Sequence, residues 1–215
     1  MPICRIIGAA PDHCPIHVNE GDLVIAADGG LARLNENGIL PDLIVGDFDS
    51  LGFVPDSGNI IRHPPEKDDT DTALAVDEGF KRGFDRFVIY GGIGGRLDHT
   101  LANLQTLAGI VNRGGTAFLV GCGNIITVIK NGTLCFDGTQ FGMVSVFAHG
   151  GNAEGVDENG LKYPLDHAVL TCDTPLGVSN EFTEKPAKIT VRNGSLIVMW
   201  YADDFDSSSI IIEKN

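Results

Sequence analysis

Two kinds of hydrophobic pattern divide the chain. Over residues 1–121, short apolar runs alternate with segments whose apolar residues recur near every 3.6 positions. The runs 4–10, 23–27, 43–45, 86–90 and 117–120 are too short and too continuously apolar for surface helices, and predict buried strands. Between them, 71–84 sets Ala73, Val76, Phe80 and Phe84 on one helical face, and 98–112 does the same with Leu101, Leu104, Ala108 and Val111. Gly114-Gly115 closes the second helix. Strand–helix alternation implies a mostly parallel sheet covered by helices.

After Gly121-Cys122-Gly123 the helical period disappears. The runs 125–130 and 133–136 flank Asn131-Gly132, and 189–192 and 195–200 flank Asn193-Gly194. Asn-Gly suits positive φ at both central positions of a two-residue turn, so each pair of runs is expected to form a hairpin. With 143–147 between them, the pattern predicts an antiparallel β-sandwich. The expected architecture is α/β: a mostly parallel αβα domain over 1–121, then an antiparallel β-sandwich over 124–202. The polar tail 203–215, with Ile210-Ile211-Ile212 inside it, reads either as an added edge strand or as disorder.

Composition narrows the function. The chain of 215 residues is 43% hydrophobic, enough for a substantial core. No apolar run approaches the roughly 20 residues of a membrane span, and the start Met-Pro-Ile-Cys-Arg lacks the basic and apolar regions of a signal peptide. Five cysteines without CxxC spacing argue against a disulfide scaffold or structural zinc, and a reducing cytoplasm is expected. A formal charge of −14 disfavours nucleic acid and suits a cationic small molecule.

Four short motifs carry the chemistry: Asp28-Gly29-Gly30, Gly46-Asp47-Phe48-Asp49-Ser50, Lys67-Asp68-Asp69-Thr70-Asp71, and Gly91 to His99. Each follows an apolar run or opens a helix, which is where an α/β sheet gathers ligand groups at its strands' carboxyl ends. Converging aspartates repel one another unless a cation lies among them, and oxygen-only ligands suit Mg²⁺ shared with a substrate's phosphates. A magnesium–nucleotide site is therefore expected. Asp47 and Asp49, two apart after a strand, can face one cation with Phe48 turned inward; a solvated turn is the plainer alternative. Asp68 and Asp71, three apart at a helix start, share a face, with Thr70 offering a hydroxyl; taken alone, a helix cap is the simpler explanation. Lys67 fits a surface ion pair or a phosphate contact.

The segment 91–99 is the most specific. Gly91, Gly92, Gly94 and Gly95 expose backbone N–H groups suited to phosphate oxygens, and Arg96 adds a guanidinium fork. It is neither a Walker A loop nor a Rossmann fingerprint. Asp98 opens the next helix, and His99 is expected to be a satisfied core histidine.

Taken together, in order and spacing, these motifs resemble the signature of the thiamine pyrophosphokinase family. The C-terminal half adds Gly160-Leu161-Lys162-Tyr163-x-Leu165 and Gly177-Val178-Ser179-Asn180, similar to that family's two C-terminal motifs. The resemblance runs to Trp200. It implies an N-terminal nucleotide-binding domain, a C-terminal thiamine-binding sandwich, and transfer of a pyrophosphoryl group from ATP to thiamine, giving thiamine diphosphate and AMP. It further implies Mg²⁺ on Asp47, Asp49 and Asp71; ATP at Asp28, Gly29, Gly30, Lys67, Asp68, Thr70, Gly92, Gly94, Gly95 and Arg96; and thiamine at Asp98, Tyr163, Ser179 and Asn180. Asp71, Asp98 and Arg96 are the expected catalytic residues, with Asp71 and Asp98 both open as general base. A homodimer with its thiamine site shared between subunits follows from the same resemblance. The Gly-Leu-Lys motif often continues with Trp in that family, where this chain has Tyr163, which can still stack on a cationic ring. Trp200, at a strand end, is the other aromatic candidate and fits the core better. The alternatives are a Mg-dependent nucleotide phosphohydrolase, a pyrophosphokinase acting on a pterin alcohol, and a non-catalytic thiamine or nucleotide sensor. A hydrolase would leave Ser179-Asn180 without a role, and a sensor would have lost metal aspartates.

Overall fold

The structure, a computed structural model, describes residues 1–11, 13–46, 59–62, 69–121, 123–207 and 210–214. The chain divides into two compact units, Met1–Cys122 and Gly123–Asn215.

The first unit is built on parallel strands. In chain order they are β1 (Cys4–Ile7), β2 (Leu23–Ala27), β3 (Leu43–Gly46), β4 (Ile60–Arg62), β5 (Arg86–Tyr90) and β6 (Thr116–Gly121). They lie in the order β6-β5-β1-β2-β3-β4, every neighbouring pair parallel. Their near-continuous Val, Ile, Leu and Ala content is what a sheet buried on both faces requires. Cys4, Ile6, Ile7, Ile25, Ala26, Val45, Ile89 and Tyr90 are all fully buried.

Among the described residues three helices connect these strands: α1 (Gly30–Glu36), α2 (Asp71–Lys81) and α3 (Leu97–Asn112). The α2 helix starts where Thr70 Oγ accepts a hydrogen bond from the Ala73 N–H, and ends three residues before the predicted boundary, at Arg82 and the positive-φ Gly83. The face of α3 differs from the predicted one. Its buried residues are Asn103, Leu107 and Ile110, while Leu101 is exposed. A polar residue occupies the inward stripe because its amide has a specific partner, described below.

The second unit is antiparallel: β7 (Asn124–Phe136), β8 (Met143–Asn159), β9 (Leu165–Leu170), β10 (Gly177–Glu181), β11 (Ala187–Tyr201) and β12 (Ile210–Lys214). The order β10-β8-β11-β7 forms its body, with β9 on β8 and β12 on β7. Neither Asn-Gly makes a hairpin. Both sit inside long continuous strands, where β7 and β11 pair on either side of a register shift. Asn131 and Gly194 have φ of 46° and 108°, and the Gly194 N–H donates to Asn131 Oδ1 at 3.0 Å. The positive φ that Asn-Gly supplies is spent on two facing bulges that bend the strands, because apolar alternation continues unbroken on both sides. The tail resolves as an edge strand: β12 pairs residues 132–136 of β7, and Phe205 and Ile210 are buried. Trp200 lies in the core, 2% exposed and edge-on to Phe136 at 5.3 Å.

Candidate active site

The carboxyl ends of β1, β2 and β5 open onto one cavity of about 690 Å³. Three loops and a helix start line it: 8–11 after β1, Asp28 after β2, 69–72 at the start of α2, and 91–96 after β5, with His99 and Asn103 of α3 behind. Of the residues expected to handle ATP or metal, Asp28, Thr70, Asp71, Gly92, Gly94, Gly95 and Arg96 line this cavity together. Asp47, Asp49, Lys67 and Asp68 lie outside the described residues. Gly29 and Gly30 are not lining residues; Gly30 starts α1, where a Cβ would lie 1.8 Å from the Ile7 carbonyl oxygen. Its role is close approach of α1 to β1.

Local bonding shapes the glycine loop. Gly8 N–H donates to the Tyr90 carbonyl at 2.8 Å and Ala10 N–H to the Gly91 carbonyl at 2.9 Å, which lace the β1 and β5 exits together. Gly91 has φ of 63°, and a Cβ on it would lie 2.4 Å from the Gly8 carbonyl oxygen. From below, Asn103 Nδ2 donates to the Gly92 carbonyl at 2.9 Å, and Gly94 N–H donates to Thr100 Oγ at 3.3 Å. The loop is held by its own helix, which is why Asn103 faces inward.

Arg96 and Asp98 form a forked ion pair, Nε to Oδ1 at 3.2 Å and an Nη to Oδ2 at 2.6 Å, with both side chains mostly exposed. Hydrogen bonding from Arg96 holds the Asp98 carboxyl below its ordinary range, and the same bond raises the Arg96 guanidinium. A depressed carboxylate stays paired above the ordinary carboxylate range and loses the pair only as pH falls through its lowered pKa. The resting guanidinium therefore faces a carboxylate, and to take a phosphate it must exchange one oxyanion for another. His99 is an exposed residue on the cavity rim rather than a core histidine. His99 lies one turn before Asn103 on the same face of α3, but in the first turn it stands at the cavity mouth and stays exposed.

We expect Arg96→Ala to raise the Michaelis constant for ATP by about tenfold or more, from loss of a charge-assisted hydrogen bond, with a smaller effect on thiamine. In the same variant the Asp98 carboxyl should titrate back up toward the ordinary carboxylate range, read by carboxyl-carbon NMR. An effect confined to the thiamine constant would place Arg96 elsewhere.

In the second unit, the expected thiamine residues adjoin one another. Leu161 bridges Phe182, Lys162 N–H donates to the Glu181 carbonyl at 3.0 Å, and Lys162 Nζ pairs with Glu181 at 2.7 Å. Tyr163 is 59% exposed, with Lys162 Nζ 5.5 Å from its ring centre. Ser179 is exposed with φ of 61°, its N–H donating to Ser145 Oγ at 3.1 Å. Asn180 differs from both. It is buried, and its amide is spent within the protein: Nδ2 donates to Glu158 Oε2 and the Tyr163 carbonyl, while Oδ1 accepts from the N–H groups of Tyr163 and Glu181.

Sequence reasoning missed the 8–11 loop, Asn103 and Glu158. The first had a signal, Gly8 directly after a strand with Pro11 closing the turn. Asn103 and Glu158 had none, because a buried polar group is recognisable only by its partner.

A glycine-lined cavity at the carboxyl ends of parallel strands, rimmed by an arginine and aspartates, is where an α/β fold binds phosphate-bearing ligands. Known proteins specify the family. Residues 16–119 match the family model of the thiamin pyrophosphokinase catalytic domain, and 132–196 match that of the thiamin pyrophosphokinase vitamin B1 binding domain. Thiamine pyrophosphokinase of Bacillus subtilis is 29% identical over 195 residues, covering 87% of this chain and 91% of that protein. Thiamin pyrophosphokinase 1 of Caenorhabditis elegans is 25% identical over 196 residues, covering 84% and 79%. Among solved structures, thiamine pyrophosphokinase from Bacillus subtilis aligns with a TM-score of 0.83 at 25% identity, over 93% of this chain and 99% of that one. A thiamin pyrophosphokinase family protein from Enterococcus faecalis aligns at 0.82 and 27%, over 94% and 99%. The chain belongs to the thiamin pyrophosphokinase family, enzymes that transfer pyrophosphate from ATP to thiamine.

Proposed function

We propose that this chain performs that transfer in the cytoplasm, with ATP in the glycine-lined cavity and thiamine against the exposed edge formed by Tyr163 and Ser179. The observation that carries the reading is the convergence of the 91–96 loop, Arg96, Asp28 and Asp71 on one cavity. Asp28, Asp69 and Asp71 on its wall offer carboxylate oxygens, which fit a hard cation such as Mg²⁺. Asp47, Asp49 and Asp71 would hold that ion, which when bound neutralises phosphate charge and polarises phosphorus–oxygen bonds.

The chain's own groups do the rest. Backbone N–H groups of 91–96 and the Arg96 fork bind phosphate oxygens and orient the β-phosphorus for in-line attack by the thiamine hydroxyl. The new bond joins that oxygen to the β-phosphorus, and the bond to the oxygen bridging the α-phosphate breaks, releasing AMP. As Arg96 moves to phosphate it frees Asp98, whose carboxylate then interacts with the positively charged thiamine. The hydroxyl proton passes to Asp71, at the α2 start, or to Asp98 once Arg96 has left it. Lys67 and Asp68 support the phosphates. Asn180 serves the thiamine edge through its bonds to Tyr163.

A homodimer whose thiamine site is shared between subunits is part of the same proposal. Each unit exposes apolar side chains that an assembled site would cover: Leu97 and Leu101 on α3, and Met143, Tyr163, Leu176 and Val178 in the β unit. A C₂ pair is the commonest soluble assembly. Complementation tests the sharing. Mixing Asp47→Asn chains with Tyr163→Ala chains at a thiamine concentration too low for either to turn over alone, and allowing exchange, should return about a quarter of wild-type activity at that concentration, since one site of each mixed dimer carries neither lesion. No recovery despite demonstrated exchange would mean each chain builds its own site.

A further inference from the structure

Glu158 is a fully buried carboxyl, 0% exposed, near the end of β8, and the reaction chemistry above makes no use of it. Its Oε2 accepts from Asn180 Nδ2 at 2.6 Å, and its Oε1 has no hydrogen-bond partner among the described residues. Burial pushes its pKa up, opposed by the Asn180 bond.

What Asn180 does with its remaining capacity gives that carboxyl its role. The second Nδ2 proton goes to the Tyr163 carbonyl at 2.7 Å, and Oδ1 accepts from Tyr163 N–H at 2.9 Å and Glu181 N–H at 2.8 Å. Both amide protons and both oxygen lone pairs are thereby used. The orientation of the amide is fixed by chemistry: turning it over would set NH₂ against two N–H donors and oxygen against a carboxylate and a carbonyl. One side chain thus grips the Tyr163 peptide by both its N–H and its C=O, and Glu158 is the group that anchors that side chain from inside. Above this foundation the Tyr163 ring stands 59% exposed. A buried acid is expensive where an apolar residue would pack more cheaply, and what this one holds is the edge assigned to thiamine.

We propose that Glu158 is a positioning residue for thiamine: by anchoring Asn180 it fixes the peptide of Tyr163, and so the aromatic platform and the adjoining Ser179 turn. The inference rests on the reading that thiamine meets this edge. It assigns Glu158 no contact with substrate.

Steady-state kinetics with thiamine and ATP varied in turn test it. Glu158→Leu fills the space without an acceptor, and Glu158→Asp keeps the carboxyl but withdraws it by one methylene. Both should raise the thiamine Michaelis constant about tenfold, with kcat and the ATP constant within about twofold. Glu158→Gln, which still offers an oxygen to Asn180, should stay within about threefold of wild type throughout. Val198→Ala, a core change on β11 away from this network, supplies the control for lowered stability alone and should leave the thiamine constant unmoved. Should Glu158→Leu fail to fold, Glu158→Asp carries the same reading. Tyr163→Ala separates the two levels. If it leaves the thiamine constant unchanged, the platform reading fails and the proposal falls with it. If it raises that constant while Glu158→Asp and every folded Glu158→Leu chain stay at wild type, the proposal alone is overturned. A rise in Val198→Ala equal to that in the Glu158 variants would likewise overturn it, reducing Glu158 to general stability.

Discussion

Asp47→Asn and Asp49→Asn should each lower pyrophosphoryl transfer by at least ~10²-fold while leaving the thermal midpoint unchanged or slightly raised. A cation that neutralises triphosphate charge is worth several kcal/mol of transition-state stabilisation, and each ~1.4 kcal/mol lost is about a tenfold loss in rate. Asp47 directly succeeds Gly46, the last residue of β3, and a Cβ on Gly46 would lie 3.3 Å from the Asp28 Cα. Asp28 N–H bonds to the Val45 carbonyl at 2.9 Å, and Asp28 lines the cavity. The β3 exit and the cavity wall are therefore neighbours. Removing one carboxylate relieves like-charge repulsion, so the fold has nothing to lose. Near-wild-type turnover in either variant, with Mg²⁺ in excess, would contradict the assignment.

The second large effect is on the scaffold of the same site. Gly91→Ala should destabilise the protein by about 3 kcal/mol and raise the ATP Michaelis constant by more than about tenfold. Its φ of 63° is costly for any residue with a Cβ, and that Cβ would lie 2.4 Å from the Gly8 carbonyl oxygen. The neighbouring backbone has little room to yield, because the Gly8 N–H is tied to the Tyr90 carbonyl at 2.8 Å. Gly109→Ala is the counterpart. Gly109 lies within α3, and nothing lies within 4 Å of where its Cβ would go. That substitution should stabilise by about 0.5–1 kcal/mol through helix propensity alone. Urea denaturation of the two variants reads both signs.

Much of the first unit is legible in its hydrophobic pattern. Strands β2 and β5 coincide with the predicted 23–27 and 86–90, because strands buried on both faces leave uninterrupted apolar runs. Helix α1 and strand β4 are invisible at that level. One is a seven-residue helix with no side-chain cap bond, and the other spans only three residues. The two Asn-Gly pairs show the limit of local turn chemistry. Positive φ is a property of the residues, but whether it closes a hairpin or bends a strand depends on what pairs across it. Here the two sites answer each other through Asn131 and Gly194.

The site shows the same division. Its residue types and order are plain from the motifs, since phosphate and metal chemistry demand glycines, aspartates and a guanidinium. The partnerships are not. Arg96 rests on Asp98, and Asn103 holds the Gly92 carbonyl. The Asn180 amide is used internally rather than presented to a ligand. Each depends on a contact that no spacing encodes, and each changes what its residue can do. The Asn180 amide is tied to Glu158 and to the Tyr163 peptide, and the Asp98 carboxylate to Arg96.

The central claim is transfer of an intact pyrophosphoryl group to an alcohol. Incubating the purified chain with ATP, Mg²⁺ and thiamine, and resolving nucleotide and thiamine products over time, tests it most directly. AMP and thiamine diphosphate should accumulate in equal amounts, with neither formed when Mg²⁺ is chelated. ADP with thiamine monophosphate, or nucleotide hydrolysis that proceeds without thiamine, would contradict it.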